Sequence, residues 1–405
     1  MPHPNDVLFT AALGLVPPWQ VRESAFSPEA SQLDLWIDFP KGSTFVCPEC
    51  GATDVPVHDT TDKRWQHLAF FQHTCYLHAR IPRVRCDACG VKQVHVPWAR
   101  PGSGFTLLFE AVVWALSKEM TVKAIARLMK VHDTRLWRIL DHYVTQALSE
   151  QDYSDVSEIA IDETSRRRGH KYVTIVADTK GKRVLHVTEG KDKKAISRFA
   201  ADYEAHNGKT ENIKEVCMDM SPAYIEATRE QFPNAHMTFD RFHVMKLANE
   251  AVDTVRREDV KDNPYLQGSR YLWLKHPDKL KAQQQQELTK LQRINPKTAR
   301  AYHLVLDLRV YWQLAKEEAE GYLRRWYQWA RRCRLEPFVQ LAKTIRNHWD
   351  GVLRYHTSNT TTGFLEGINS LVQAAKRKAR GYRTTKNLIT MIYIIAGKLN
   401  GPLPT

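Results

Sequence analysis

Three carboxylates follow runs of residues that have the composition of buried strands. Asp162 lies in the run Glu158–Thr164, and Asp219 and Asp240 each end a shorter apolar run. Carboxylates at the tips of neighbouring strands supply the oxygen ligands that hard cations such as Mg²⁺ prefer. The sequence therefore predicts that Asp162 and Asp219 hold metal ions for phosphoryl transfer.

Another acid, Glu366, stands in the first turn of a predicted helix near the C-terminus. Residues 357–362 offer Ser, Thr and Asn side chains that can cap this helix. The stripe that carries Glu366 holds further polar side chains spaced three or four positions apart, namely Asn369, Gln373 and Arg377. A carboxylate on such a helix, placed beside the sheet, would complete the site that the two aspartates begin.

The predicted chemistry is two-metal-ion phosphoryl transfer. Two Mg²⁺ or Mn²⁺ ions roughly 3.5–4 Å apart activate a water or a 3′-hydroxyl and relieve charge on the leaving oxygen. Asp162 would bridge the two ions, while Asp219 and Glu366 would hold one each.

Two cysteine pairs predict one structural zinc ion. The pattern is C-x2-C at Cys47 and Cys50, then 35 residues, then C-x2-C-G at Cys86 and Cys89. Four thiolates in a tetrahedral array form a closed site that leaves no position open for catalysis. Strand-like residues between the pairs predict a connecting hairpin, in which Cys75 packs in the core. The alternative is four buried free thiols.

A helix-turn-helix is predicted after the zinc segment. A short helix (122–129), a tight turn and a longer helix (134–148) follow one another. Because the start of the second helix enters the major groove in this motif, Arg135 and Arg138 are candidate DNA contacts, and Trp137 is expected in the core. The alternative is an ordinary helical connector.

The acids require a scaffold of strands and helices. Three strands in succession, then alternating helices and strands, predict a mixed sheet with helices packed on it. Between residues 242 and 355 the pattern becomes helical, which indicates an insertion before the catalytic fold ends. The apolar run 388–396 predicts a buried helix that is too short to span a membrane.

A net charge of +14 and a pI near 9.4 suit a polyanionic partner such as nucleic acid. Further predicted DNA contacts are Arg324, Arg325, Lys376, Arg377, Arg380 and Arg383. The alternative for the Arg324 segment is an amphipathic helix with an aromatic core face. The absence of a signal peptide and of a membrane-length apolar run predicts a cytoplasmic protein without a membrane partner.

Several motifs together resemble the DDE transposases of the ISL3 insertion-sequence family. They are the zinc cysteine pairs, Ile-Asp-Glu at 161–163, Met-Asp-Met-Ser-Pro-Ala-Tyr at 218–224, Phe-Asp-Arg-Phe-His-Val at 239–244 and Glu-Gly-Ile-Asn at 366–369. The resemblance implies an RNase H-like core, movement of an insertion sequence, and binding of terminal inverted repeats and target DNA by a bacterial, nucleoid-associated protein. It assigns the catalytic roles to Asp162, Asp219 and Glu366.

Two further acids stand beside this set. Asp240 lies in a motif that the family shares, and it is either a fourth ligand or a structural acid that contacts Arg241 or His243. Glu163 follows Asp162 and is expected on the other face of the strand, because side chains alternate along a strand.

The predicted fold is a multidomain α+β chain. Its expected parts are an N-terminal zinc ribbon domain (1–98), a helix-turn-helix domain (99–152), the first part of an RNase H-like core (153–248), a helical insertion (249–356) and the last part of the core (357–405). The predicted function is a transposase that cleaves and joins DNA, acting as a homodimer because joining requires DNA ends held in place. The alternatives are an RNase H-like nuclease that does not join strands and a non-catalytic zinc and helix-turn-helix regulator.

Overall fold

The computed structural model describes residues 3–167, 171–358 and 363–402. The chain divides into two compact units. Unit 1 comprises Met1–Leu148, Ala375–Gly381 and Leu399–Thr405, and unit 2 comprises Ser149–Ala374 and Tyr382–Lys398. The finer division into five domains stays a prediction. Across the described ranges, none of the helices has both the length and the apolar character that crossing a membrane requires.

Unit 1 begins with a sheet and continues into helices. In chain order its elements are α1 (Pro4–Ala12), β1 (Gln20–Ser27), β2 (Gln32–Asp38), β3 (Thr44–Phe45), β4 (Val55–Phe70), β5 (His73–Cys86), β6 (Gly90–Gln93), α2 (Leu107–Glu119), α3 (Val122–Leu128) and α4 (Asp133–Ser149). The strand order is β1-β2-β5-β4-β3, with β6 paired to β5. Alternation along β2 buries Leu33, Leu35 and Ile37 on one face of this sheet, where they form a core with Trp65 and Leu77.

The helices α3 and α4 form the predicted helix-turn-helix. The residues that precede the two helices in the sequence, Thr121 and Asp133, are of types that predict N-caps. The hydroxyl of Thr121 accepts a hydrogen bond from the Ala124 amide, so it caps α3. The predicted cap at Asp133 is wrong, because Asp133 is already helical and the ring of His132 accepts the Thr134 amide at 3.3 Å.

Unit 2 contains the mixed sheet and the long helical insertion. Its elements are β7 (Glu158–Arg167), β8 (Lys171–Asp178), β9 (Arg183–Glu189), α5 (Lys193–Ala205), β10 (Glu215–Met218), α6 (Pro222–Gln231), β11 (His236–Phe239), α7 (Arg241–Asp259), α8 (Arg270–Leu274), α9 (Ala282–Ile294), α10 (Pro296–Tyr311), α11 (Lys316–Arg332), α12 (Glu336–Asn347), α13 (Trp349–Ser358), α14 (Gly363–Lys378, whose end belongs to unit 1) and α15 (Thr385–Ala396). Short 3₁₀ turns occur at Thr210–Asn212, Pro264–Leu266 and Pro277–Lys279.

The strand order of the second sheet is β11-β10-β7-β8-β9. The strands β7, β8 and β9 form an antiparallel meander, while β10 runs parallel to both β7 and β11. Apolar residues of β7 and β10 form one core with Phe199 of α5, Tyr224 of α6 and Val244 of α7. This is the mixed sheet that the order of strands and helices predicts, and it agrees with the RNase H-like core that the family resemblance implies.

Two local predictions need correction. The basic residues 166–168, between two β-branched runs, predict a tight turn, but β7 continues through Arg167, which pairs with Lys171 of β8. Arg168 lies outside the described residues. Thr357 and Ser358 do not cap α14 but belong to the last turn of α13, and the rest of that predicted cap, residues 359–362, also lies outside the described ranges.

Candidate active site and zinc centre

Strand pairing aligns Asp162 with Asp219. In the parallel ladder between β7 and β10, Glu158 is the partner of Glu215. Each aspartate lies four residues further along its strand direction, so the two stand at the same level on neighbouring strands. Neighbouring strands are about 4.8 Å apart, which brings the two side chains within reach of one binding site.

Asp240 extends this row by one strand. Met218 pairs with Phe239 in the parallel ladder between β10 and β11, so the next residue of each strand, Asp219 and Asp240, lies beside the other. Asp240 is only 2% exposed, and its carboxylate accepts the Phe242 amide at 3.2 Å, which caps α7. The structure therefore gives Asp240 a structural role and at the same time places its charge in the acid row.

Asp162 is buried and is held by hydrogen bonds to neutral donors. Its Oδ1 accepts the Glu163 amide at 2.8 Å, and its Oδ2 accepts Nδ2 of Asn369 at 2.6 Å. The nearest basic group is the ring of His243, whose Nε2 is 3.7 Å from Oδ1. In the described part of the chain, no lysine or arginine forms an ion pair with Asp162, so its charge is available to a cation.

The polar stripe of α14 faces β7. Next to the Asn369 contact, Nε2 of Gln373 donates to the hydroxyl of Thr164 at 2.8 Å and to the Ser165 carbonyl at 3.2 Å. Glu366 stands one turn before Asn369 on the same stripe. The carbonyl oxygen Oδ1 of Asn369 is buried and accepts no hydrogen bond within the described ranges. It is therefore an additional oxygen beside Asp162 that has no partner.

The electrostatics of Glu366 indicate that it is close to Asp240 and Asp162. Partial desolvation and the charges of these two aspartates raise the pKa of Glu366, against the opposing charge of His243, although the residue remains exposed. Burial lowers the pKa of His243, but its hydrogen bond to Asp162 and the charges of Asp162, Asp240 and Asp219 outweigh burial and raise that pKa above the usual value. Crowded carboxylates of this kind favour a cation.

The remaining geometry is looser than a closed metal site. Of the His, Cys, Asp and Glu residues that the structure describes, only the zinc cysteines form a group of three or more whose ligand atoms all lie within 4.8 Å of one another. At least one pair among the ligand oxygens of Asp162, Asp219 and Glu366 is therefore more than 4.8 Å apart. Repulsion between like charges opposes a closer approach of these carboxylates.

Asp219 and Glu163 occupy different surroundings. The Asp219 carboxylate accepts the Ser221 amide at 3.0 Å, just before α6 begins at Pro222. Burial raises the pKa of Glu163, and Lys191, 3.8 Å away, opposes this rise. The charges of Asp219 and Asp162 also raise the pKa of Glu163, so this acid is electrostatically close to the acid row, and its expected place on the other face of β7 stays a prediction.

The four predicted zinc ligands meet in unit 1. The Sγ atoms of Cys47, Cys50, Cys86 and Cys89 all lie within 4.8 Å of one another. A tetrahedral site with Zn–S bonds of about 2.3 Å separates its sulfurs by about 3.8 Å, so these residues fit Zn²⁺. Backbone amides of Cys50 and Glu49 lower the pKa of the Cys47 thiol to about 7, which favours the thiolate that binds zinc.

The zinc pairs depend on the elements that flank them. Cys86 ends β5, the second strand of the predicted hairpin, and pairs with Gly90 at the start of β6. Gly51 and Gly90 have φ values of 75° and 73°, which explains the glycine that follows each pair. Cys75 lies in the hairpin but is 2% exposed, and burial raises its pKa to about 12, so it packs in the core as predicted.

The predicted DNA contacts of the helix-turn-helix lie at the start of α4. Arg135 and Arg138 are exposed. The guanidinium of Arg135 stacks over the ring of Phe105, 4.2 Å from its centroid, which holds the arginine in one orientation. The expectation that Trp137 belongs to the core is only partly met, because its side chain is half-buried.

The other predicted DNA contacts are mostly at the surface. Arg324 and Arg325 lie on α11, whose Trp326 is 1% exposed and donates to the Leu304 carbonyl at 2.9 Å, so the aromatic face of this helix is core. Arg324 pairs with Glu320 on the same helix. Of the four remaining predicted contacts, Lys376 is half-buried, and the other three are exposed, namely Arg377, Arg380 and Arg383.

The mixed sheet, its acid row and the acid-bearing helix define the DDE class of RNase H-like enzymes. Family models support this class independently. The ISL3 model of DDE enzymes, described as a transposase, matches residues 159–392. The helix-turn-helix domain of transposase family ISL3 matches residues 94–144, and the zinc-finger of transposase IS204/IS1001/IS1096/IS1165 matches residues 43–89.

Curated relatives agree with these matches. The transposase for insertion sequence element IS1557 of Mycobacterium tuberculosis is 28% identical over 376 residues, which cover 85% of this chain and 83% of the relative. The transposase for insertion sequence element IS1001 of Bordetella parapertussis is 27% identical over 354 residues, which cover 85% of this chain and 87% of the relative.

The chain belongs to the ISL3 family of transposases, because the DDE family model covers more than half of its length. It is accordingly a DNA-binding enzyme that cleaves and transfers DNA strands with the help of divalent metal, and it carries a zinc ribbon.

Proposed function

We propose that Asp162, Asp219 and Glu366 hold two Mg²⁺ or Mn²⁺ ions and that Asp240 adds a fourth carboxylate to this site. The observation that carries the proposal is the hydrogen bond from Asn369 to Asp162, which ties the Glu366 helix to the acid row of the sheet. The raised pKa of Glu366, caused in part by Asp240 and Asp162, supports the same grouping. When bound, the ions would activate the attacking oxygen and stabilise charge on the leaving oxygen.

Each protein group has a distinct task in this proposal. Asn369 orients the Asp162 carboxylate, and the Ser221 amide does the same for Asp219. Protonated His243 would place a positive charge beside Asp162 and limit the mutual repulsion of the acids before DNA and metal arrive. A carboxylate oriented by outer hydrogen bonds binds metal more tightly than a free one.

The proposed substrate is the terminal inverted repeats of an insertion sequence, followed by target DNA. Arg135 and Arg138 would contact base edges or phosphates from the start of α4, where helix-turn-helix proteins enter the major groove. Arg324, Arg325, Lys376, Arg377, Arg380 and Arg383 would contact phosphates. We infer a homodimer on DNA, because strand joining requires two ends to be held together.

A cleavage and joining assay tests the proposal. Labelled duplexes that carry the ends of the element are incubated with full-length protein and Mg²⁺, and both cut and joined products are measured. Asp162→Asn should abolish both products while DNA binding persists. Asp178→Asn is the matched control, because this buried aspartate also ends a strand of the same sheet but pairs with Arg183 instead of joining the acid row.

Two results would contradict the proposal. Cleavage that survives in Asp162→Asn would remove this residue from the site. Cut product without any joined product in the unmutated protein would indicate a nuclease that does not transfer strands.

A further inference from the structure

A large cavity lies beside the candidate active site within unit 2. Its volume is about 880 Å³, and Asp240 and Glu366 form part of its wall. Most of the rest of the wall comes from the first half of α7 and the segment 274–279, and Arg309 of α10 also contributes. Sites for small ligands measure about 300–1,000 Å³. The cavity therefore suits about one or two nucleotides and is far smaller than a turn of duplex.

Cations outnumber carboxylates on the wall of the cavity. Arg241, Lys275, Lys279 and Arg309 line it, together with the carboxylates of Asp240, Asp278 and Glu366. No carboxylate in the described ranges forms an ion pair with any of the four cations, of which Arg309 is half-buried and the other three are exposed. Cations that are not neutralised by a neighbouring carboxylate favour an anionic ligand.

Arg309 shows the need for a ligand most directly. Its Nη2 donates to the Leu274 carbonyl at 2.9 Å and to Oδ1 of Asn249 at 3.3 Å. Its Nη1 is buried and has no hydrogen-bond partner in the described part of the chain. A buried donor left unpaired is costly, and a phosphate oxygen is the acceptor that a guanidinium fits best.

An exposed aromatic ring completes the cavity. Phe242 lines it and is 52% exposed, although it directly follows the cap residue Asp240 and the cation Arg241. The same ring also lines a second groove along α7, so it contributes to both cavities. Exposed rings that stand beside cations are how proteins hold unpaired bases, because every base can stack on a ring.

We propose that this cavity binds unpaired nucleotides of the DNA strand that passes the acid row. Arg241, Arg309 and the neighbouring lysines would bind its phosphates, and a base would stack on Phe242. The proposal rests on the proposed function, since it takes the adjacent carboxylates to be the place of cleavage. It adds that the duplex must open at the cleaved end, because a paired base cannot reach the ring.

Chemical probing of DNA tests this opening without cleavage. Full-length, zinc-loaded protein is bound in the absence of Mg²⁺ to duplexes that carry the element's ends, with A·T pairs placed on either side of the cleaved phosphate. Permanganate then reports unpaired thymines. We expect the unmutated protein to make thymines reactive, and Phe242→Ala and Arg309→Gln to reduce this reactivity about tenfold or more. Unchanged reactivity on binding, or equal reactivity with both variants, would overturn the proposal.

A second measurement uses the cleavage rate. Two variants should cut fully paired ends about tenfold more slowly than the unmutated protein, namely Phe242→Ala and Lys279→Gln, the second at an exposed position. Ends in which the same nucleotides are already unpaired should restore the Phe242→Ala rate to nearly that of the unmutated protein.

Matched controls come from the same unit. Tyr265→Ala removes an aromatic ring that is 78% exposed and does not line the cavity, and Arg293→Gln removes an exposed cation at the end of α9. Both should behave as the unmutated protein. If the cavity variants cut paired ends at the normal rate, this proposal fails while the assignment of the acids stands. If Asp162→Asn still cuts, the assignment of the acids fails instead, and the permanganate result decides whether the cavity opens DNA.

Discussion

Nδ2 of Asn369 donates to Oδ2 of Asp162 across 2.6 Å, and this contact joins α14 to β7. Asn369→Ala removes this donor and leaves the Glu163 amide as the remaining backbone donor to the carboxylate, so the orientation of the carboxylate is less well fixed. Loss of a hydrogen bond that orients a metal ligand typically lowers metal affinity or activity about 10–100-fold. We therefore expect Mg²⁺-dependent cleavage to fall by this factor and to recover partly at higher Mg²⁺, as a titration of cleavage rate against Mg²⁺ would measure.

Ser370→Ala is the control for this variant, since Ser370 is exposed on the same helix. An Asn369→Ala protein with normal Mg²⁺ dependence would mean that the contact only packs the helix and does not position Asp162.

The contact also shows what the sequence could and could not predict. The spacing of Glu366, Asn369 and Gln373 predicted that they share a stripe, and the structure confirms that the stripe faces β7. Which atoms meet could not be predicted, because the partners are about 200 residues apart in the chain and the register between a helix and a strand depends on packing.

The zinc pairs, the helix-turn-helix and the strand order followed from local patterns. Ligand spacing and hydrophobic periodicity are properties of short segments, so they could be predicted from the sequence, whereas the caps at Asp133 and at residues 357–358 could not. The basic cavity was not predicted, because Arg241 and Arg309 lie on different helices and nothing in either helix indicates that they face each other. The position of His243, three residues after Asp240, was a signal for its place beside the acids.

Asp240 can be tested for its two roles separately. Asp and Asn are about equally good N-caps, so Asp240→Asn keeps the cap on α7 and removes the charge. We expect the thermal stability to change little and cleavage to fall more than about tenfold, because a carboxylate of the metal site is lost. Asp240→Ala should in addition lower the free energy of unfolding by about 0.5–2 kcal/mol.

Asp192→Asn is the matched control, because Asp192 caps α5 in the same way and its carboxylate accepts the Ala195 amide. Normal cleavage by Asp240→Asn would show that Asp240 is a cap and nothing more.

The raised pKa of His243 predicts a pH-dependent contribution to stability. Since the folded state binds the proton more tightly than the unfolded state, protonated His243 stabilises the fold at pH values below its unfolded pKa of about 6.5. This contribution is lost as the pH rises through the folded pKa. The free energy of unfolding of the unmutated protein should therefore be higher than that of His243→Gln in buffer without Mg²⁺. This difference should be larger at about pH 5.5 than at about pH 8.5.

Denaturant unfolding at both pH values measures this difference. His236→Gln, at an exposed position of β11, should show no such trend. A difference between the unmutated protein and His243→Gln that grows with pH would contradict the ion pair with the acids.

We predict that the folding of unit 1 depends on the zinc site. Cys47→Ser removes a thiolate from a four-cysteine site, and zinc sites of this type supply on the order of 10–16 kcal/mol of apparent binding free energy. We expect bound zinc to fall from about one equivalent to nearly none, as elemental analysis measures, and unit 1 to lose its cooperative unfolding transition. Sequence-specific DNA binding should be lost with it, because the helix-turn-helix packs in the same unit.

Cys75→Ala separates this effect from simple core damage. Cys75 is equally buried but lies outside the cluster, so its replacement should cost about 1 kcal/mol and leave the zinc content unchanged. If Cys47→Ser kept its zinc, or if Cys75→Ala lost it, the assignment of the ligands would be wrong, and with it the explanation for the glycine that follows each cysteine pair.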